Sequence, residues 1–163
     1  MNSVTRLRER SAPLPVSKQR LRLWLRLLRA SRAIEGKLRD RLRTTFDITL
    51  PQFDVMAALA RHENGMTMTA LSRELMVSNG NVTGIIDRLV AEKLVVRRAH
   101  AEDRRTFIVS LTPNGAAQFD AMAKVHEQWI DDMLAEIGAD ETVAMIGRLD
   151  GIARRVREGE ARP

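Results

Sequence analysis

The stretch LSRELMVSNGNVTGIIDRL, residues 71–89, carries two glycines four residues apart, Gly80 and Gly84, inside what is otherwise a well-patterned amphipathic helix. Each glycine in a helix interior costs roughly 1 kcal/mol relative to alanine. At about 100° per residue, Val82, Ile85, Ile86 and Leu89 fall together as a core face. Gly80, Gly84 and Asp87 point the opposite way, flanked by Thr83 and Arg88, with Asn81 further round beside Arg88. The glycines therefore sit at the centre of the outward face, where missing Cβ atoms let the backbone approach another surface closely. Asparagine offers a paired donor and acceptor, suited to an adenine edge. Threonine brings a hydroxyl and a methyl that can meet thymine. Arginine can fork onto guanine or clasp a phosphate.

Upstream, TALSRELMVS reads as a short helix with Leu71 and Leu75 at i, i+4. A short helix, a tight turn and an outward polar helix form a helix-turn-helix arrangement. Ser78 can cap the second helix and leave spare N–H groups facing a phosphate. Two residues depart from the usual pattern: Ser72 stands where alanine is common, and Met76 stands in the turn where glycine is common. Met76 asks the turn to work without a residue free to take a positive φ. Downstream, RRAHAEDRRTFIVSLT, residues 97–112, reads as two strands around a polar tip at 99–104. Arg97, Arg98, Arg104 and Arg105 surround that tip, and arginines on a narrow projection suit a minor groove, where negative potential is focused. Asp103 among them can hold a neighbouring guanidinium in one rotamer and so reduce the entropy lost on binding.

Outward from this centre the pattern is helical at both ends. Residues 17–45 place Leu21, Trp24, Leu25, Leu28, Ile34, Leu38 and Leu42 near 3.6-residue spacing with arginines between them. A second helix follows Thr49, with Pro51 in its first turn and Phe53, Met56, Ala57 and Ala60 as its inner face. After Thr112 and Pro113 comes a stripe of Phe119, Met122, His126, Trp129, Met133 and Ile137. A last helix, capped by Asp140, carries Val143, Ile146, Leu149, Ile152 and Val156. Residues 1–16 show little periodicity and read as a mobile arm. Long amphipathic terminal helices need a partner, and the simplest is a second copy of the chain.

Composition narrows the function classes. The 163 residues include no cysteine, which excludes disulfides and thiolate chemistry and fits a cytoplasmic location. No apolar run is long enough to span a bilayer, and no secretory signal is expected. Net charge is +6. Thirteen basic and three acidic residues give residues 1–43 a net of +10, whereas 44–111 is neutral and 112–163 carries −4. A basic chain points to a polyanionic partner, but this distribution does not by itself assign the surface. Three scattered histidines without cysteine argue against a metal site, and no phosphate loop, paired-carboxylate or nucleophile–base motif indicates an enzyme. No cofactor is expected.

The segment LSRELMVSNGNVTGIIDRLVAEKLVVRRAHAEDRRTFIVSLTPNG resembles the MarR family of winged helix-turn-helix regulators. VTGIIDRL, the EDRR wing followed by VSLT, and the LTPNG opening of the next helix carry the resemblance, which is specific over residues 50–115. It implies a mainly α fold with a small β-hairpin wing (α+β). A winged helix-turn-helix lobe at 46–111 would lie between dimerisation helices at 17–45 and 112–163. It places Asn79, Gly80, Asn81, Thr83 and Gly84 on the groove-reading part of the recognition helix, beside the Ser78 cap, and Arg88 on a phosphate. Asp103 and Arg105 match the family's wing aspartate and arginine, with Arg104 at the intervening variable position. The implied partners are double-stranded DNA, a second copy of the chain, and a small-molecule effector held between dimerisation helices and lobe. Trp24, Arg32, Phe53, Met56, Met122, His126 and Trp129 are the candidate pocket lining. The expectation is a homodimeric transcriptional regulator, a repressor of a near-palindromic operator released by an aromatic acid or acyl-CoA. The alternative rests on KQRLRLWLRLLRASR, residues 18–32, which also reads as a membrane-surface amphipathic helix.

Overall fold

The computed structural model describes residues 14–99 and 106–160. Six helices and three strands follow in the order α1 (Val16–Phe46), α2 (Leu50–Ala60), β1 (Met66–Thr67), α3 (Met68–Glu74), α4 (Asn79–Ala91), β2 (Val95–Ala99), β3 (Phe107–Leu111), α5 (Pro113–Leu134) and α6 (Ala139–Glu160). The fold is mainly α with a small antiparallel sheet in the order β1-β3-β2. β2 and β3 form the expected hairpin, with Val95 opposite Leu111 and Ala99 opposite Phe107. β1 was not anticipated. It is two residues long, too short for any alternation to show, and it pairs Met66 with Val109 and Thr67 with Ile108.

The chain divides into two compact units, one ending at Lys37 and the other starting at Leu38. In the first, Leu21, Leu23, Trp24 and Leu25 of α1 are exposed. The second holds the hydrophobic core, built from Leu42, Val55, Met56, Leu59, Leu71, Val82, Ile86, Leu89, Val109 and their neighbours. Helix α2 runs through its centre, packed by α3, α4, α5 and β3. It therefore buries more of its circumference than an amphipathic reading allows. Gln52, Val55, Ala58 and Leu59 join Phe53 and Met56 inside, while Ala60 is exposed.

Local signals explain the element ends. Thr49 and Gln52 form a reciprocal capping box, in which the Thr49 N–H donates to Gln52 Oε1 at 2.9 Å and the Gln52 N–H to Thr49 Oγ1 at 3.4 Å. The turn after α3 corrects the expectation for Met76: it does take a positive φ, +53°, and is 91% exposed. The Val77 N–H donates to the Ser72 carbonyl at 3.1 Å and the Met76 N–H to Arg73 at 3.2 Å, a C-terminal cap usually built on glycine. Helix α5 starts where its chain presses on the loop before β2. Thr112 donates its N–H to the Leu94 carbonyl at 2.9 Å and its hydroxyl to Lys93 at 2.8 Å. Gly115 packs so closely there that a Cβ would stand 1.9 Å from the Leu94 oxygen.

Candidate nucleic-acid interface

Helix α4 has the geometry its pattern implies. Val82, Ile86 and Leu89 are buried and Ile85 half-buried, while Asn79, Gly80, Asn81, Thr83, Gly84, Asp87 and Arg88 are exposed. Ser78 is the N-cap, its side chain accepting from the Asn81 N–H at 3.4 Å. A Cβ built on Gly80 or Gly84 meets nothing within 4 Å. The glycine strip is thus open space, and neither glycine is needed for packing within the chain.

Two side chains of this face are already partly engaged. The buried Ser72 hydroxyl of α3 donates to Asn79 Oδ1, tying the start of α4 to the helix behind it. Asn79 then presents its amide N–H groups outward more readily than its carbonyl. Thr83 donates its hydroxyl to the Asn79 carbonyl at 2.9 Å, leaving its methyl and oxygen lone pairs outward. Sequence reasoning noted Ser72 only as a departure from alanine; a contact to a residue seven positions away has no periodic signal.

The wing begins with a second tie. Arg97 of β2 pairs with Asp87 of α4, Nη1 to Oδ1 at 2.7 Å, and its side chain is 30% exposed. Among the described residues its Nε and Nη2 are buried without a partner. The partner of Arg97 was not foreseen, although Asp87 was placed on the outward face. Arg98, the next residue, is exposed. Asp103, Arg104 and Arg105 lie outside the described residues.

The candidate pocket residues fall in different settings. Trp24 and Arg32 are exposed residues of α1 in the first unit. In the second unit, Phe53, Met56 and Met122 belong to the buried core, and Trp129 packs at its edge. The His126 ring stacks on Phe53, centroids 4.6 Å apart, and burial lowers its pKa below the usual 6.5. Trp129 lies 6.0 Å from Phe46, and the Arg41 guanidinium sits 5.6 Å above its ring. Past the C-terminal end of α2, Arg61 donates to Glu74 of α3 at 2.7 Å and His62 contacts it at 3.0 Å, and these two partners hold the Glu74 carboxyl below the usual range. No group of residues able to hold a metal ion occurs among the described residues.

A short helix, a capped turn, an outward helix with a bare centre and an adjacent antiparallel hairpin define a winged helix-turn-helix protein. Comparison with known proteins narrows the class. The sequence model of the MarR family matches residues 46–106. The chain is 30% identical to a MarR family transcriptional regulator from Silicibacter pomeroyi, with a TM-score of 0.74, covering 88% of this chain and 99% of that one. It is 33% identical over 99 residues to the transcriptional repressor NicR of Pseudomonas putida, spanning 61% of this chain and 62% of NicR. It is 26% identical, with a TM-score of 0.71, to Bordetella bronchiseptica BpsR, over 81% of this chain and 98% of that one; 6-hydroxynicotinic acid regulates DNA binding by BpsR. The chain belongs to the MarR family: it is a DNA-binding transcriptional regulator and not an enzyme. No helix among the described residues is long and apolar enough to cross a membrane, and the comparisons give the membrane-surface alternative no support.

Proposed function

We propose that the chain is a homodimeric, sequence-specific repressor that seats α4 in the major groove of each half of a near-palindromic operator. The observation that carries this reading is the open strip at Gly80 and Gly84, where a Cβ would meet nothing within 4 Å, framed by exposed Asn81, Thr83 and Arg88. Asn79, Asn81 and Thr83 read base edges, Arg88 holds a phosphate, and the Ser78 end of α4 faces the backbone. Arg98, Arg104 and Arg105, with Asp103 as buttress, enter the minor groove, while Arg97 fixes the wing through Asp87.

Dimerisation is supported by unpartnered apolar surface. Among the described residues helix α6 has no buried one, and Val143, Ile146, Leu149, Ile152 and Val156 are exposed along it. The exposed leucines and Trp24 of α1 make a second such face. Segments 17–45 and 112–163 would cover these faces with a second copy, around a DNA-binding lobe at 46–111. Two half-sites about one helical turn apart follow from that symmetry. Repression accords with the role of NicR, a transcriptional repressor. A small aromatic acid or acyl-CoA effector accords with the regulation of BpsR by a heteroaromatic acid. Within the second unit, the effector would engage the partly buried edge at His126 and Trp129, beside Phe53.

Selection of bound duplexes from a random pool tests the reading. The expected outcome is one enriched inverted repeat, bound by two copies and released by an aromatic acid or its CoA ester. Binding without enrichment would refute sequence-specific recognition. A monomeric complex would refute the dimer, and unchanged affinity across those acids would refute the effector.

A further inference from the structure

The arginine-rich end of α1 has no role in the reading above, yet it borders the recognition helix. An open cleft of about 540 Å³ lies between Arg39 and Arg43 of α1, Leu50 and Pro51 at the start of α2, and Asn81 and Ile85 of α4. All of these residues belong to the unit that begins at Leu38. Arg39 and Arg43 are four residues apart, hence on one helix face, and both are exposed. No carboxylate is among the residues lining the cleft. Among the described residues neither arginine makes an ion pair.

The cleft's position says what it faces. A helix with its side chains is about 10–12 Å across, and the major groove is about 12 Å wide, so a seated helix has a phosphate wall along each flank. One flank of α4 is turned to the wing through the Asp87–Arg97 pair. Asn81 lies on the other flank, beside Arg88, and lines the cleft. We infer that Arg39 and Arg43 clasp the DNA backbone on the flank of α4 opposite the wing, extending the interface beyond the winged helix into α1. This rests on the DNA-binding reading above. Both arginines lie outside the segment matched by the family model, residues 46–106. Arg39 and Arg43 thereby gain a polyanionic partner without contributing to base choice.

Salt dependence tests the inference, with the full chain and two probes: a duplex recovered by selection and an unrelated duplex of equal length. Each phosphate contact contributes a slope of about −0.9 in log affinity against log salt. Arg39→Gln/Arg43→Gln is expected to lower the slope by about 2 per chain bound. The wild-type chain then loses about 12-fold more affinity per chain between 50 and 200 mM salt than the variant does. Relative preference among base sequences stays the same, and Arg39→Lys/Arg43→Lys keeps the slope. An unchanged slope in a folded glutamine variant overturns the inference. So does an unchanged slope combined with lost binding of benzoate, which would assign the cleft to a small anion. If the double variant does not fold, Arg43→Gln alone is compared with wild type by phosphate-ethylation interference. One backbone position is expected to lose its interference, and an identical pattern overturns the inference. A wild-type chain that binds neither duplex refutes the DNA-binding reading as a whole, whereas wild-type binding with an unaltered variant slope refutes the clasp alone.

Discussion

Gly84→Ala separates what α4 needs to fold from what it needs to bind. Gly84 is the sixth of 13 residues in α4, and a Cβ there meets nothing within 4 Å. No steric term offsets the helix propensity of alanine, so the fold gains about 0.8–1.0 kcal/mol. For a chain of this size that raises the melting temperature by about 2–4 °C. Gly80 stands in the first turn, and its gain is smaller. Binding moves the other way. If the strip is the closest approach of α4 to the groove floor, the added methyl occupies the space of a base edge. Operator affinity then falls at least about tenfold, or about 1.4 kcal/mol. Thermal unfolding followed by circular dichroism and anisotropy titration of a selected duplex measure both quantities on the same preparation. A more stable variant that binds the operator as tightly as wild type would refute the assignment of the strip as a contact surface. A destabilised variant would refute the open space beside Gly84.

Other perturbations probe separate links. Asp87→Asn removes the charge facing Arg97, whose Nε and Nη2 are already buried without partners among the described residues. A drop in stability of about 0.5–1 kcal/mol and weaker operator binding are expected, and an unaltered denaturation midpoint would show that the tie contributes nothing. Gly115→Ala forces a Cβ to within 1.9 Å of the Leu94 carbonyl, so a loss of about 3 kcal/mol or more is expected in urea unfolding; a loss below about 1 kcal/mol would contradict that close contact. Burial depresses the pKa of His126 below 6.5 in the folded chain, so unfolding takes up a proton below that value. The stability it contributes is complete above about pH 6.5 and is lost as pH falls through the folded value. Melting temperatures across this range should fall with pH for wild type and less steeply for His126→Phe; parallel curves would remove His126 as the source.

What could be read from the sequence was whatever repeats along a helix or sits at its end. The α4 face, the caps at Thr49, Ser78 and Thr112, and the stripe from Phe119 to Met133 all follow from spacing and local hydrogen bonding, whereas Ile137 lies past the end of α5 at Leu134. Contacts between elements left no such trace. The β1 strand is two residues whose partner lies some forty positions away. Gly115 was legible as part of LTPNG, but its necessity comes from the Leu94 carbonyl in another element. Met76 takes the left-handed conformation of a glycine because the turn between α3 and α4 requires it. For the same reason the Ser72–Asn79 and Asp87–Arg97 ties emerged only from the fold. Arg39 and Arg43 looked like part of one long basic helix, until the cleft beside α4 distinguished them from the arginines before them.

The measurement closest to the central claim is the ratio of affinities for a selected inverted-repeat duplex and for an unrelated duplex of the same length, at one fixed salt concentration near 150 mM. A recognition helix reading base edges predicts a ratio of at least about 1,000 in favour of the selected duplex. Affinities within about tenfold of each other would mean that the chain holds DNA by its phosphates alone, and would contradict the roles given to Asn79, Asn81 and Thr83.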